Sequence, residues 1–126
     1  MIDHAGEFLN GGIACYDAQL KEDLLHVNHE LIKTYTPESM EVTRAISLGL
    51  SQLIPADIHI GITGLTPPGG SETKEKPVGT VFIYASSKGE LAFSERFNFK
   101  GEREEIVSAT VDACTSLLID YLGDID

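Results

Sequence analysis

Hydrophobic and polar positions along the chain change period several times, and each change marks an element. Asp57 to Thr63 alternates strictly, with Ile58, Ile60 and Ile62 on one side and Asp57, His59, Gly61 and Thr63 on the other. That is the period-two signature of a strand. Gly79 to Ser86 (GTVFIYAS) is a near-continuous apolar run suited to a central strand covered on both faces. After a tight turn at Lys88-Gly89, Leu91, Phe93, Phe97 and Phe99 alternate with Ala92, Ser94, Arg96 and Asn98, which predicts an antiparallel partner. Gly11 to Tyr16 (GGIACY), short, apolar and opened by glycines, reads as a further buried strand.

Helical spacing appears between and after these runs. Asp17 to Leu25 presents Ala18, Leu20, Leu24 and Leu25 as apolar members, while His26 to Tyr35 is polar and ambiguous, with a short helical turn as its reading. Thr36-Pro37 predicts a helix start, with a hydroxyl cap and proline at the first helical position. Met40, Thr43, Ile46, Leu50 and Leu53 then recur on one face until Pro55 stops the helix. A last helix opens near Gly101 with Glu102, Glu104 and Glu105 in its first turn. Ile106, Ala109, Ala113, Leu117 and Tyr121, flanked by Val107, Cys114 and Leu118, predict one broad buried side. Strands interleaved with helices, plus a hairpin, imply a layered α/β/α domain with a mixed sheet, and 126 residues suit one domain.

Between the second and third strand-like runs lies the most permissive backbone in the chain. Thr63 to Val81 (TGLTPPGGSETKEKPVGTV) holds Gly64, Gly69, Gly70 and Gly79 together with Pro67, Pro68 and Pro77. A loop of this length between buried strands predicts ligand binding or disorder. It is not a nucleotide P-loop, because GxxxxGK[ST] is absent, and it joins two strands rather than a strand and a helix. Its amides can form an anion-binding nest, to which Lys74 or Lys76 would add charge.

The formal net charge of −11 argues against nucleic acid and anionic membranes as partners, since both require clustered Lys and Arg. A small anionic ligand remains compatible with the local Lys74/Lys76 pair. No window approaches the ~18 apolar residues of a membrane span. Residues 1–9 lack the basic and apolar regions of a signal peptide, and Cys15 and Cys114 suit free thiols in a reducing cytosol, so a cytoplasmic location is expected.

Candidate chemistry is sparse. There is no G-x-S-x-G elbow, and Ser71 reads as a solvated loop hydroxyl. Tyr16, at the end of the first strand-like run, and Lys21, about one turn into the next helix, are better placed. A lysine beside an apolar strand end can act as a base, and a nearby tyrosine can relay a proton. His59 suits a packed, hydrogen-bonded histidine. Asp23, His26, His29 and Glu30 match no zinc spacing, so neither a metal nor a cofactor is expected.

Taken together, these residues resemble the C-terminal domain of CinA-like (competence/damage-inducible) proteins, a family that includes nicotinamide mononucleotide amidases. The family signature T-G-I-A-G-P-x-G-G is similar to Thr63-Gly64-Leu65-Thr66-Pro67-Pro68-Gly69-Gly70. Its P-E-K-P-V-G-T-V block is similar to Lys74-Glu75-Lys76-Pro77-Val78-Gly79-Thr80-Val81. Phe8, Gly11, Gly12, Tyr16 and Lys21 resemble F-x-G-G-x-x-x-Y-x-x-x-x-K, and Phe99-Lys100-Gly101-Glu102-Arg103 resembles F-x-G-D-R. The resemblance implies the fold and a pocket with Tyr16 and Lys21 at catalytic-type positions. It implies ligand contacts from Thr63, Gly64, Gly69, Gly70, Lys76, Pro77, Gly79, Thr80 and Arg103, and a pyridine nucleotide as the class of anionic ligand. Thr66 and Pro67 depart from the family's loop, and the family's T-A-E-S-C-T-G-G serine motif has no counterpart here. The expectation is therefore a CinA-type binding module without amidase activity. An active or partner-completed amidase, and a protein-interaction module, stand as alternatives, with homo-oligomerisation expected.

Overall fold

The computed structural model describes residues 5–124. Three strands form an antiparallel sheet in the order β1-β2-β3: β1 (His59–Gly64), β2 (Thr80–Ser87) and β3 (Glu90–Asn98). Among the described residues a 3-10 turn at Ala5–Glu7 and four α-helices accompany it: α1 (Ala18–Asp23), α2 (His29–Tyr35), α3 (Met40–Leu53) and α4 (Arg103–Asp124). The layered α/β class expected from the sequence holds. The sheet is antiparallel throughout rather than mixed, because Gly11–Tyr16 joins no ladder; Gly11, Gly12, Ile13 and Ala14 are exposed. A strand needs a hydrogen-bonded neighbour, and an apolar run does not supply one.

The two faces of the sheet are built differently. Register pairs Ile62 with Ile83 and Thr63 with Phe82, so alternate residues sort onto opposite faces. One face carries His59, Gly61 and Thr63 of β1 with Ser86 of β2, and α3 lies directly on it. Thr43 of α3 shares a 2.8 Å hydrogen bond with Thr63. Ser47 donates to the His59 carbonyl at 2.7 Å and pairs with Ser86 at 2.7 Å. Gly61 allows this approach: a Cβ there would sit 2.5 Å from the Thr43 carbonyl oxygen. The opposite face packs Val81 and Ile83 against Ile106 of α4, with Ile60, Phe93, Phe97 and Leu117 around them. A separate cluster of Leu25, Val27, Ile32 and Val42 joins α2, α3 and the turn before them.

Local chemistry explains the helix starts, with one shift. Asp17 caps α1 by accepting from the Gln19 amide, and Asn28 caps α2 by accepting from Glu30. The cap of α3 is Ser39, whose hydroxyl accepts from Val42, rather than Thr36. Thr36 is committed to ending α2: its amide bonds the Ile32 carbonyl and its φ is +70°. His59 is buried and its Nε2–H donates to the Ile54 carbonyl at 2.6 Å, the packed role its sequence context suggested.

The broad buried side predicted for α4 is only partly realised. Ile106 alone in it is fully buried, and Val107 stays 47% exposed. By length and composition α4 is also apolar enough to cross a bilayer. The expectation that no window suits a membrane span fails at α4, where Asp112, Thr115 and Ser116 interrupt the apolar residues without making the helix polar.

Candidate functional site

A cavity of about 540 Å³ opens between α1, the start of α3, β1 and the N-terminus of α4. That volume lies within the ~300–1,000 Å³ of small-molecule sites. Five residues singled out in the sequence meet on its wall: Tyr16, Lys21, Thr63, Gly64 and Arg103. They come from four separate parts of the chain. Ile46, Leu50, Ile60 and Ile62 supply an apolar side.

Lys21 is the most constrained of the polar groups. Its side chain is only 8% exposed, and its ammonium donates one hydrogen bond, to the Cys15 carbonyl at 3.2 Å. An ammonium carries three donors and is costly to bury unpaired. No carboxylate pairs with it among the described residues. Tyr16, by contrast, stands on the rim at 90% exposure, and no hydrogen bond joins it to Lys21. The Tyr16–Lys21 proton relay is thus not assembled in this arrangement. Thr63 is buried with its hydroxyl engaged by Thr43, and Arg103 is exposed at the first turn of α4, where the helix dipole adds positive potential.

Among the wall residues not singled out as site residues, Cys15 and Glu38 carry ionisable groups. Cys15 contributes to the cavity as the free thiol its sequence context suggested. Glu38 also lines it, and its Oε2 is buried without a hydrogen-bond partner. A buried orphan carboxylate oxygen in a cavity wall points to a missing donor. Only tertiary structure brings Glu38 to the site, so no local pattern could have found it.

Of the loop, Thr66 and Pro67 also line the cavity, whereas the other expected ligand contacts, Gly69, Gly70, Lys76, Pro77, Gly79 and Thr80, lie off its wall and have structural partners. Gly69 and Gly70 form the anion nest anticipated from the sequence, and the chain fills it itself: both amides donate to the Glu72 carboxylate at 2.8 Å. Glu72's own backbone amide, then Gly69's and, opposed by slight desolvation, Gly70's hold its carboxyl below the ordinary value of 4.5. Lys76 reaches back to the α2–α3 junction, donating to the Thr36 hydroxyl and the Glu38 carbonyl at 2.8 Å each and to the Tyr35 carbonyl at 3.2 Å. It thereby braces Thr36 in a backbone region that is costly for a β-branched residue. Pro77 accepts from both the amide and the hydroxyl of Thr80, which also bonds Asn98. Gly79, at φ +97°, lies so close to Phe99 that a Cβ would fall 1.9 Å from its carbonyl oxygen. This block fastens the loop to the sheet.

Residues 2–122 match the family description "CinA C-terminal domain". The chain belongs to that family. A CinA-like protein of Citrifermentans bemidjiense is 36% identical over 115 residues, covering 91% of this chain and 27% of that protein. A CinA-like protein of Thermotoga maritima is 35% identical over 121 residues, covering 96% of this chain and 29% of its own length. The chain therefore spans under a third of the CinA-like relatives it matches. Among solved structures, the competence damage-inducible protein A of Klebsiella pneumoniae superposes with a TM-score of 0.79 at 27% identity. The competence/damage inducible protein of Agrobacterium tumefaciens gives 0.78 at 28%. Each match covers 85% of this chain and 65% of the other. The antiparallel sheet and its helices thus form a CinA-type fold.

Proposed function

We propose that this CinA-type domain binds a small anionic ligand of the pyridine-nucleotide class in the cavity at β1, and that it does so without hydrolysing it. The observation that carries the reading is Lys21: a buried ammonium with one backbone hydrogen bond, on the wall of a cavity that also receives Arg103. A phosphate or carboxylate would complete its donors and offset the cost of burial. Glu38, on the same wall with an unpartnered oxygen, suits the N–H groups of a carboxamide on that ligand. Binding without turnover is favoured because Tyr16 stands apart from Lys21 and the Thr63 hydroxyl is already held by Thr43.

Calorimetry with nicotinamide mononucleotide, paired with an ammonia-release assay, tests both parts. Expected are saturable binding, weakened about tenfold or more by Lys21→Ala in line with a lost charge-assisted bond, and ammonia release at background. Failure of the wild-type protein to bind any pyridine nucleotide overturns the ligand class. Ammonia release that disappears with Lys21→Ala instead establishes the amidase reading. One observation favours that second reading: the Cys15 thiol shares the cavity wall with Lys21, so loss of such turnover on Cys15→Ser would identify its nucleophile.

A further inference from the structure

We infer that Glu38 is the specificity-determining residue of the cavity at β1, and that it selects a pyridinium ring, with its fixed positive charge, over the uncharged dihydropyridine. The inference rests on the pyridine-nucleotide reading above and adds to it the redox state of the ligand. It starts from the charges on the cavity wall. Lys21 and Arg103 supply cations there and Glu38 an anion, and among the described residues no cation forms an ion pair with Glu38. A cavity with separated charges of both signs is complementary to a ligand that carries both. An oxidised pyridine mononucleotide is such a ligand, with an anionic phosphate at one end and a cationic ring at the other. Hydride reduction cancels the ring charge and leaves the phosphate and the carboxamide in place.

The Glu38 carboxylate lacks a partner on a backbone that is held in place. Its Oε2 is buried with no donor. The positive end of α3 lowers the cost of that burial, yet the Val42 amide is already taken by the Ser39 hydroxyl and the Thr43 amide by the Ser39 carbonyl. Lys76 spends its ammonium donors on the Tyr35 carbonyl, the Thr36 hydroxyl and the Glu38 carbonyl. The Ser39 hydroxyl donates to the Thr36 carbonyl at 2.9 Å, and Pro37 fixes its own φ between them. A buried carboxylate mounted in this way is stabilised by any ligand that brings a positive charge to it. Both redox forms offer Glu38 the same carboxamide N–H groups, so hydrogen bonding does not separate them and the ring charge does. Glu41 supplies an internal control. Its Oε2 is likewise buried without a donor, but Glu41 is not part of the cavity wall. At a net charge of −11 the whole chain favours the less anionic ligand to some degree, and Glu41 reports that general effect.

The test is calorimetric titration with nicotinamide mononucleotide and with its reduced form, at one salt concentration, on the wild type, Glu38→Gln and Glu41→Gln. Expected for the wild type is a dissociation constant at least about tenfold lower for the oxidised form, in line with a close charge pair inside a cavity. Glu38→Gln keeps the shape and an acceptor oxygen but removes the charge. It should narrow the preference to about threefold or less by weakening the oxidised ligand alone. Glu38→Ala should narrow it in the same way and gives the reading if the glutamine variant folds poorly. Glu41→Gln should leave the preference where it was. Equal wild-type affinity for the two forms overturns the inference and leaves the ligand class standing, whereas binding of neither form overturns both. A preference that survives loss of the Glu38 charge also overturns it. So does one that falls as far in Glu41→Gln, since the selection would then belong to the acidity of the whole chain.

Discussion

The α3 face of the sheet is polar along β1 and closed, with Phe82 and Tyr84 of β2 also buried on it, whereas the α4 face is apolar and partly open. Against α3 lie His59, Gly61, Thr63 and Ser86, and the Thr43–Thr63 and Ser47–Ser86 pairs bind helix to sheet at 2.7–2.8 Å. On the other face Ile60, Val81, Ile83 and Phe97 meet a helix that buries only Ile106 completely, and Ile62 remains 44% exposed. Burial here follows how closely a helix can approach, not how hydrophobic the strand face is. Small residues and one glycine let α3 settle onto the backbone of β1, where every hydroxyl then finds a partner. On the other face, isoleucines and phenylalanines pack on α4 through Ile106, Cys114 and Leu117, while Val107, Val111 and Ile119 are exposed.

The sharpest way to break this contrast is Gly61→Ala. A methyl group 2.5 Å from the Thr43 carbonyl oxygen cannot be accommodated without lifting α3. A loss of about 3 kcal/mol is expected, the upper end for overpacking, read as a fall in urea midpoint. An unchanged midpoint would mean that α3 is not seated as described. Next comes Ser47→Ala, which strips a partner from both the His59 carbonyl and the Ser86 hydroxyl. About 1–3 kcal/mol should be lost, the cost of leaving buried polar groups unsatisfied; a double mutant with Ser86→Ala should recover part of it, and full additivity would argue against the pair. On the open side, Ile119→Ser should move monomer stability by no more than about 0.5 kcal/mol. A larger loss would show that the outer flank of α4 is covered within one chain.

The smallest effect is confined to the loop. Because Glu72's carboxyl is held below its ordinary value, the Gly69–Gly70 nest is fully formed above pH 4.5 and is lost as pH falls through the depressed value. The Gly69 and Gly70 amide resonances should hold steady from pH 7 to 5 and shift only in more acid solution, with global stability unaffected. A nest that opens already near neutrality would mean that Glu72 does not fill it.

Much of the fold was legible because its signals are local. Strict alternation placed β1, a continuous apolar run placed the doubly covered β2, and helical spacing placed α3 and α4. The Gly11–Tyr16 strand was misplaced because an apolar run says nothing about whether a neighbouring strand exists to bond it. Thr36 was read as a helix cap because its residue type fits, but its backbone had already been used to end α2. At the site, Tyr16, Lys21, Thr63, Gly64 and Arg103 were named in advance and do meet. Cys15 and Glu38 were not, since their membership depends on folding α3 and the segment before α1 onto β1.

By itself, then, the sequence determined most of the elements, the family and five of the residues that gather around one cavity, because periodicity, turn chemistry and motif spacing act over a few residues. Tertiary structure alone decided that Glu72 occupies the loop's nest, that Lys76 braces Thr36, and which face of β1 is buried. Those outcomes depend on distances between groups far apart in the chain, and hydrogen bonding and close packing are settled only when the distances are.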